Sequence, residues 1–394
     1  MALFMSRAAE ACIDLNVLSA NLEQVRRNAP DSRIVAVIKA NGYGHGLVRV
    51  AQALPRADVF AVASIDEALV LRAAGIDHPL LLLEGFSSDE ELALVQQYRL
   101  SVVLHQEEQL QALEDFAKEN SARLSSEPIS VWLKIDTGMH RLGFQPDEAA
   151  GLYERLQRCP GVASTIILMT HLANADDRQD ETTARQAELF YQTDTHIDWA
   201  GERHHSIANS AGILAWPQTH FSEHCSCVRP GIMLYGVSPF IDGTAIDHGL
   251  RPVMTLRSRL IAIKQCKAGD AIGYGGSWQC PEDMAVGVVA IGYGDGYPRA
   301  AAAGTPVLIN GQRVSLIGRV SMDMITIDLR ELVDDAAVGD EVVLWGKGLP
   351  VEEIALHANT IAYDLLCGVT SRVRLIETTS QEEGSERDYQ SKAG

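Results

Sequence analysis

A closed (β/α)8 barrel followed by a mostly β domain, an α/β fold, is predicted by three features of this 394-residue chain. Short, near-continuously apolar runs alternate with longer amphipathic ones through the first two thirds, as strands buried on both faces of a parallel sheet do. Eight such strand–helix units fit into about 240 residues, the number and length expected of a closed barrel. Past a polar, turn-rich stretch, PFIDGTAIDHGLRP at 239–252, the alternation gives way to short strands bounded by turn signals.

The predicted barrel strands are Ile34–Ala40, Val59–Ser64, Pro79–Glu84, Ser101–His105, Ile129–Asp136, Ala163–His171, His204–Ala208 and Cys225–Val228. Between them the amphipathic runs predict helices over Leu47–Leu54, Ile65–Ala74, Asp89–Tyr98, Glu107–Lys118, Asp147–Arg158, Thr182–Tyr191 and Ser210–Ala215. Gly75 ends the second of these and Pro217 the last, in the positions where each residue stops a helix. This places the barrel at 10–240 and a β domain at 241–378, with strands at Val253–Ile263, Ala285–Ile291, Pro306–Ile309, Ile325–Asp328 and Glu341–Leu344 and one helix, Val351–Ala358. Residues 379–394 are polar and charged, the composition of a disordered tail. Glu10–Leu15 reads as a strand ahead of the helix Val17–Arg27 and is free to pair with the second domain.

Composition narrows the function classes. Hydrophobic residues make up 46% and charged residues 22%, which suits a globular core. The formal net charge of −19 argues against general nucleic-acid binding, because phosphate backbones attract basic surfaces. The opening MALFMSRAAEAC lacks the basic and apolar regions of a secretion signal, so a cytoplasmic location with no membrane contact is expected. Seven cysteines without a repeated spacing do not suggest a disulfide framework. Cys225 and Cys227 have no second ligand pair nearby, and no metal site is expected.

Catalytic groups of a βα barrel gather at the C-terminal ends of its strands. Polar residues do so here five times: Lys39 ends the first strand, Lys134 and Asp136 end the fifth with Arg141 in the next loop, His171 ends the sixth, Asn209 and Ser210 follow the seventh, and Arg229 and Gly231 follow the eighth. A lysine closing an apolar strand is partly desolvated, which favours the neutral amine and nucleophilic chemistry on a carbonyl. It is also placed to snorkel to solvent as an ordinary strand-end residue. Asn209-Ser210-Ala211-Gly212 opens a short helix and offers N–H groups and a hydroxyl to an anion, or a plain N-cap. GYGGSW (273–278) and GYGDGYP (292–298) do not lead into a βαβ helix, so they are no dinucleotide fingerprint but loops of the β domain.

Several of these segments, taken in order, resemble the alanine racemase family: AVIKANGYGHG, WLKIDTGMHRLGF, ANSAG, VRPGIMLYG, IGYGG, GRVSMDM and TIAYDLLC. The likeness runs from about residue 10 to 374. It implies a pyridoxal 5'-phosphate enzyme that interconverts L- and D-alanine, a peptidoglycan precursor, as a homodimer with shared active sites. By this resemblance Lys39 is the Schiff-base lysine and one of two catalytic bases, and Tyr274 of the other subunit is the second. Tyr43, Ser210, Gly231, Ile232 and Tyr363 hold the phosphate, with Asn209 beside them, and Arg229 faces the pyridine nitrogen. Arg141 meets the cofactor's phenolic oxygen and the substrate carboxylate. His171 links Arg229 toward Tyr274, and both cations are expected to stabilise a tyrosinate. Met322 and Asp323 come from the partner's β domain, and Lys134 matches a lysine that many members carry as a carbamate. Ser321 departs from the cysteine common there. A broad-specificity racemase is the alternative on this scaffold. A decarboxylase would place an acid where Arg229 stands, and a non-catalytic pyridoxal phosphate carrier would resemble the barrel alone.

Overall fold

The computed structural model describes residues 8–378 apart from 121–123, 125–126, 221–223 and 333–334. The tail expected to be disordered, 379–394, lies outside the described residues. β1 (Glu10–Asp14) leads into a helix over Leu15–Asn28, whose N-cap Asp14 accepts the N–H groups of Asn16 and Val17. Eight parallel strands follow: β2 (Arg33–Val37), β3 (Val59–Val62), β4 (Leu80–Leu82), β5 (Leu100–Leu104), β6 (Ile129–Lys134), β7 (Val162–Met169), β8 (His204–Ser206) and β9 (Cys225–Val228). They pair in sequence order, and β9 returns to β2 through Arg33–Cys227 and Ile34–Val228, closing the barrel. β3 and β4 are buried at every position, the reason their sequences show no alternation.

The β domain is built on β10 (Met254–Cys266), with the small hairpin β11 (Ala271–Ile272) and β12 (Trp278–Gln279) beside it. β13 (Met284–Val289), β14 (Pro306–Ile309), β15 (Gln312–Ile317), β16 (Ile325–Asp328) and β17 (Glu341–Trp345) complete a ring, since β13 pairs with both β16 and β10. β1 joins this sheet rather than the barrel, antiparallel to β10 and parallel to β18 (Arg374–Thr378). Glu10 fastens it, accepting from Arg257 at 3.1–3.2 Å and from Arg374. The first and last described strands therefore lie side by side in the second domain.

Two sequence expectations need correction. Val351–His357 is not the only helix of the second domain, because Ala362–Cys367 is also helical. Its six residues are too few for a 3.6-residue period to stand out. The first barrel strand stops at Val37 instead of Ala40, for a reason that belongs to the site.

Candidate active site

Beyond Val37 the chain leaves the barrel by a left-handed turn. Ala40, Asn41, Gly42 and Tyr43 have φ of 54°, 55°, 63° and 49°. Such a conformation costs on the order of 1–2 kcal/mol at each residue bearing a Cβ, less at asparagine and none at glycine. Hydrogen bonds hold it: Gly42 N to Ile38 O (2.9 Å), Gly44 N to Ala40 O (3.0 Å), Gly46 N to Asn41 O (2.8 Å), and Leu47 N to the Asn41 side-chain oxygen (2.9 Å). Lys39 thus does not close the strand; it stands half-buried at the start of the turn. At Gly44 a Cβ would sit 2.1 Å from the Leu366 carbonyl oxygen, so glycine alone lets the turn touch the helix Ala362–Cys367. That helix brings Tyr363 to 6.1 Å, ring centre to ring centre, from Tyr43.

Tyr43 is buried and stacks on Tyr235 at 4.7 Å and 24°. A Cβ at position 231 would lie 2.6 Å from the Tyr43 hydroxyl, so glycine there lets the tyrosine reach the backbone. The Ser210 hydroxyl accepts the N–H of Gly231 at 2.9 Å and of Met233 at 3.4 Å. Ile232, between them, is buried. Tyr43, Ser210, Gly231, Ile232 and Tyr363 therefore belong to one neighbourhood drawn from three segments of the barrel and one helix of the second domain. Burial raises the hydroxyl pKa values of Tyr43 and Tyr363 well above the ordinary tyrosine value, so both remain hydrogen-bond donors. Asn209 takes the plainer of its two readings: its side chain caps the Ser210–Ala215 helix by accepting from Gly212 N at 2.9 Å.

Arg229 is 4% exposed. It donates to the Ser206 hydroxyl, to the carbonyls of Thr170 (2.6 Å) and Ile207 (3.2 Å), and to His171 Nδ1 (3.5 Å). Burial brings its guanidinium down to about 10, which leaves it charged at neutral pH. His171 is held well below its usual value by burial and then by Arg229, Lys134, Arg141 and Lys39. This corrects the expectation that His171 adds a positive charge. It is neutral, because burial has taken its water and four cations act on it. Its Nδ1 accepts from Arg229, which leaves the proton on Nε2.

Lys134 is 7% exposed, and its amine is lowered to about 8 by burial and by Arg229 and Arg141, against which Asp136 pulls the other way. Asp136 organises the next loop by accepting the N–H groups of Gly138 and His140, each at 3.0 Å. Arg141, exposed, sits at the end of that loop. The remaining three candidates lie on the β domain. Tyr274, between β11 and β12, is 69% exposed and Met322 52%. Asp323 pairs with Arg372, which also reaches the buried Asp295 at 3.3 Å. Tyr293 N and Gly294 N bind the carbonyls of Ser321 (3.0 Å) and Met322 (2.9 Å). Sequence reasoning did not place Arg372, Asp295 and the GYGDGYP loop beside Met322 and Asp323, where the structure brings them together. The only signal in the sequence was that loop's unusual composition.

The whole arrangement, a barrel with a cationic mouth carrying Lys39 and a second β domain, has counterparts among known proteins. Residues 13–239 match the family model of the alanine racemase N-terminal domain, and residues 253–377 match that of the C-terminal domain. The chain belongs to the alanine racemase family. Alanine racemase of Vibrio cholerae serotype O1 is 50% identical to it over 369 residues, 94% of this chain and 98% of that protein. The structure of biosynthetic alanine racemase from Pseudomonas aeruginosa matches with a TM-score of 0.87 at 42% identity, covering 94% of this chain and 99% of that one. Alanine racemase from Bartonella henselae, solved with covalently bound pyridoxal phosphate, matches with a TM-score of 0.82 at 28% identity, over 94% and 99% of the two chains. No helix among the described residues is long and apolar enough to cross a membrane, and the alanine racemase matches cover both domains.

Proposed function

We propose that this protein interconverts L- and D-alanine in the cytoplasm, using pyridoxal phosphate at the barrel mouth and a second copy of the chain to complete each site. One observation carries the reading. In a chain of net charge −19, Lys39, Arg141 and Arg229 all act on the single imidazole of His171, a concentration of positive charge suited to an anionic cofactor and substrate.

The residues present fit the cofactor. The hydroxyls of Tyr43, Ser210 and Tyr363 and the N–H groups of Gly231 and Ile232 would hold its phosphate, with Asn209 shaping that corner through its cap. Arg229 would face the ring nitrogen, Arg141 the phenolic oxygen, and Lys39 would hold the aldehyde carbon covalently. Pyridoxal phosphate supplies that aldehyde and a conjugated ring able to stabilise negative charge on the substrate α-carbon. Racemisation needs a base on each face of that carbon. Lys39 Nζ serves one face and Tyr274 Oη of the second copy serves the other. Proton abstraction near neutral pH calls for hydrogen-bond donors and positive charge around such bases. The Nε2 proton of neutral His171 would donate to the Tyr274 oxygen of the second copy, with the fixed charge of Arg229 behind it. Met322 of the second copy, through its backbone, and Asp323 beside it would shape the substrate site, and Arg141 would help place the substrate carboxylate. Four large side chains of the β domain, Tyr274, Tyr293, Met322 and Met324, are 40% exposed or more, which supports a covering partner.

Arg229 weighs against a decarboxylase, and the second domain weighs against a carrier. A racemisation assay over a panel of L-amino acids tests the proposal. Alanine should be preferred by far. Comparable rates for several amino acids would replace it with the broad-specificity alternative, and no racemisation of any would overturn it.

Two further outcomes are expected. Arg229→Glu should retain the cofactor but racemise at least about 100-fold more slowly, the scale of one misplaced active-site charge. A carboxylate there favours a protonated ring nitrogen, and pyruvate should appear as a transamination product. An unchanged rate without pyruvate would refute the role. Lys134 is neutral above about 8 and protonated below, so its reaction with carbon dioxide should increase as pH rises through that value. Labelled bicarbonate should yield a carbamate carbon-13 signal at pH 9 that fades at pH 6 and is absent from Lys134→Arg. Losing that charge in Lys134→Ala should free Arg141 and raise KM about tenfold, roughly one charge-assisted hydrogen bond.

A further inference from the structure

His45 closes the left-handed turn, yet nothing in the mechanism uses it. It is completely buried. Its Nδ1 lies 2.8 Å from the Tyr43 carbonyl oxygen and 3.1 Å from that of Gly42. A ring nitrogen facing two carbonyl oxygens must donate, so the proton is on Nδ1. Nε2 is then a buried acceptor with no partner among the described residues. An apolar ring would avoid that orphan, so the histidine is there for its Nδ1 proton. Burial lowers the pKa of His45 to about 4, so the donor is the neutral ring.

The same ring packs at 4.7 Å against Tyr235, which stacks at 4.7 Å on Tyr43. The Tyr235 hydroxyl donates at 3.2 Å to the carbonyl of Val37, two residues before Lys39. His45 therefore grips the turn twice, through the Tyr43 carbonyl and through the face of the tyrosine that supports the Tyr43 ring.

We propose that His45 is a positioning residue: its imidazole locks the turn 40–43 so that the Tyr43 hydroxyl stands beside Gly231, where the phosphate end of the cofactor is held. The inference rests on the cofactor reading above. It acts through Tyr43, so it concerns the phosphate and not the aldehyde.

The test compares two ligands on the full-length protein stripped of cofactor, by absorbance titration. They are pyridoxal phosphate and pyridoxal, which lacks the phosphate. His45→Phe keeps a ring against Tyr235 and loses the donor. His45→Gln places an amide one bond too far out. His45→Asn sets an amide N–H at the Nδ1 position. Phe and Gln should weaken pyridoxal phosphate at least tenfold and leave pyridoxal unchanged, and Asn should recover most of the loss. In Tyr43→Phe the further change to His45→Phe should add little. A merely structural role would weaken both ligands together, or lower the melting temperature without changing their ratio, and either result overturns the proposal, as does an unchanged ratio in both Phe and Gln. A wild-type protein that binds neither ligand would instead count against the cofactor reading.

Discussion

Lys39→Ala is expected to abolish racemisation, lowering the rate by at least about 10⁴-fold, the upper range for removing a positioned proton-transfer group, because the same amine is both anchor and base. The visible absorbance of the bound cofactor should shift to that of the free aldehyde. In the wild type, borohydride reduction followed by peptide mapping should place the label on Lys39. Lys134 is the competitor that makes this a sharp test. It shares the cationic cluster, and its amine, lowered to about 8, is nucleophilic near neutral pH. It is nevertheless 7% exposed and set within the barrel strand β6, whereas Lys39 stands half-buried where the chain has already turned out of the sheet. A label on Lys134 would overturn the assignment of the anchor while leaving the cofactor in place.

Tyr274→Phe is expected to keep the cofactor absorbance, since Lys39 is intact, and to slow loss of the α-proton from L-alanine by about 10³-fold, as removal of a general base does. Proton loss from D-alanine, assigned to Lys39, should fall less in single-turnover exchange. Mixing the two inactive variants decides whether sites are shared. If Tyr274 serves the neighbouring subunit, each hybrid dimer of Lys39→Ala and Tyr274→Phe has one site with both bases and one with neither. Equal mixing of a two-fold symmetric dimer should then restore roughly a quarter of wild-type activity as subunits exchange. Hybrid dimers that form, shown by mass, without any return of activity would refute the shared site. The 69% exposure of Tyr274 motivates the experiment, because a catalytic base on one chain alone would not stand so open to water.

Much of the barrel was legible because burial on both faces of a parallel sheet leaves a plain mark. Runs such as VFAV and LLL have no polar alternation, and their strands are buried throughout. The strand-end positions of Lys134, His171 and Arg229 followed from counting along those runs. The glycines of 42–46 marked a turn after Lys39, but its left-handed course and the early end of the strand were not legible, since a loop of glycines is consistent with several backbone paths. The helix carrying Tyr363 was too short to show a period, and its meeting with Tyr43 joins residues 320 positions apart.

Composition and hydrophobic period, properties of short stretches of chain, were enough to determine the barrel, the change of architecture near residue 240, and which strand ends carry polar groups. Tertiary structure decided the rest. The pairing of β1 with β10 and β18 depends on distant partners. Arg229 is locked by carbonyls of β7's end and of the segment after β8, and His171 is neutral because it is buried and because four cations from three other segments act on it. A protonation state is a sum over everything nearby in space, and no stretch of sequence carries that sum before the chain has closed on itself.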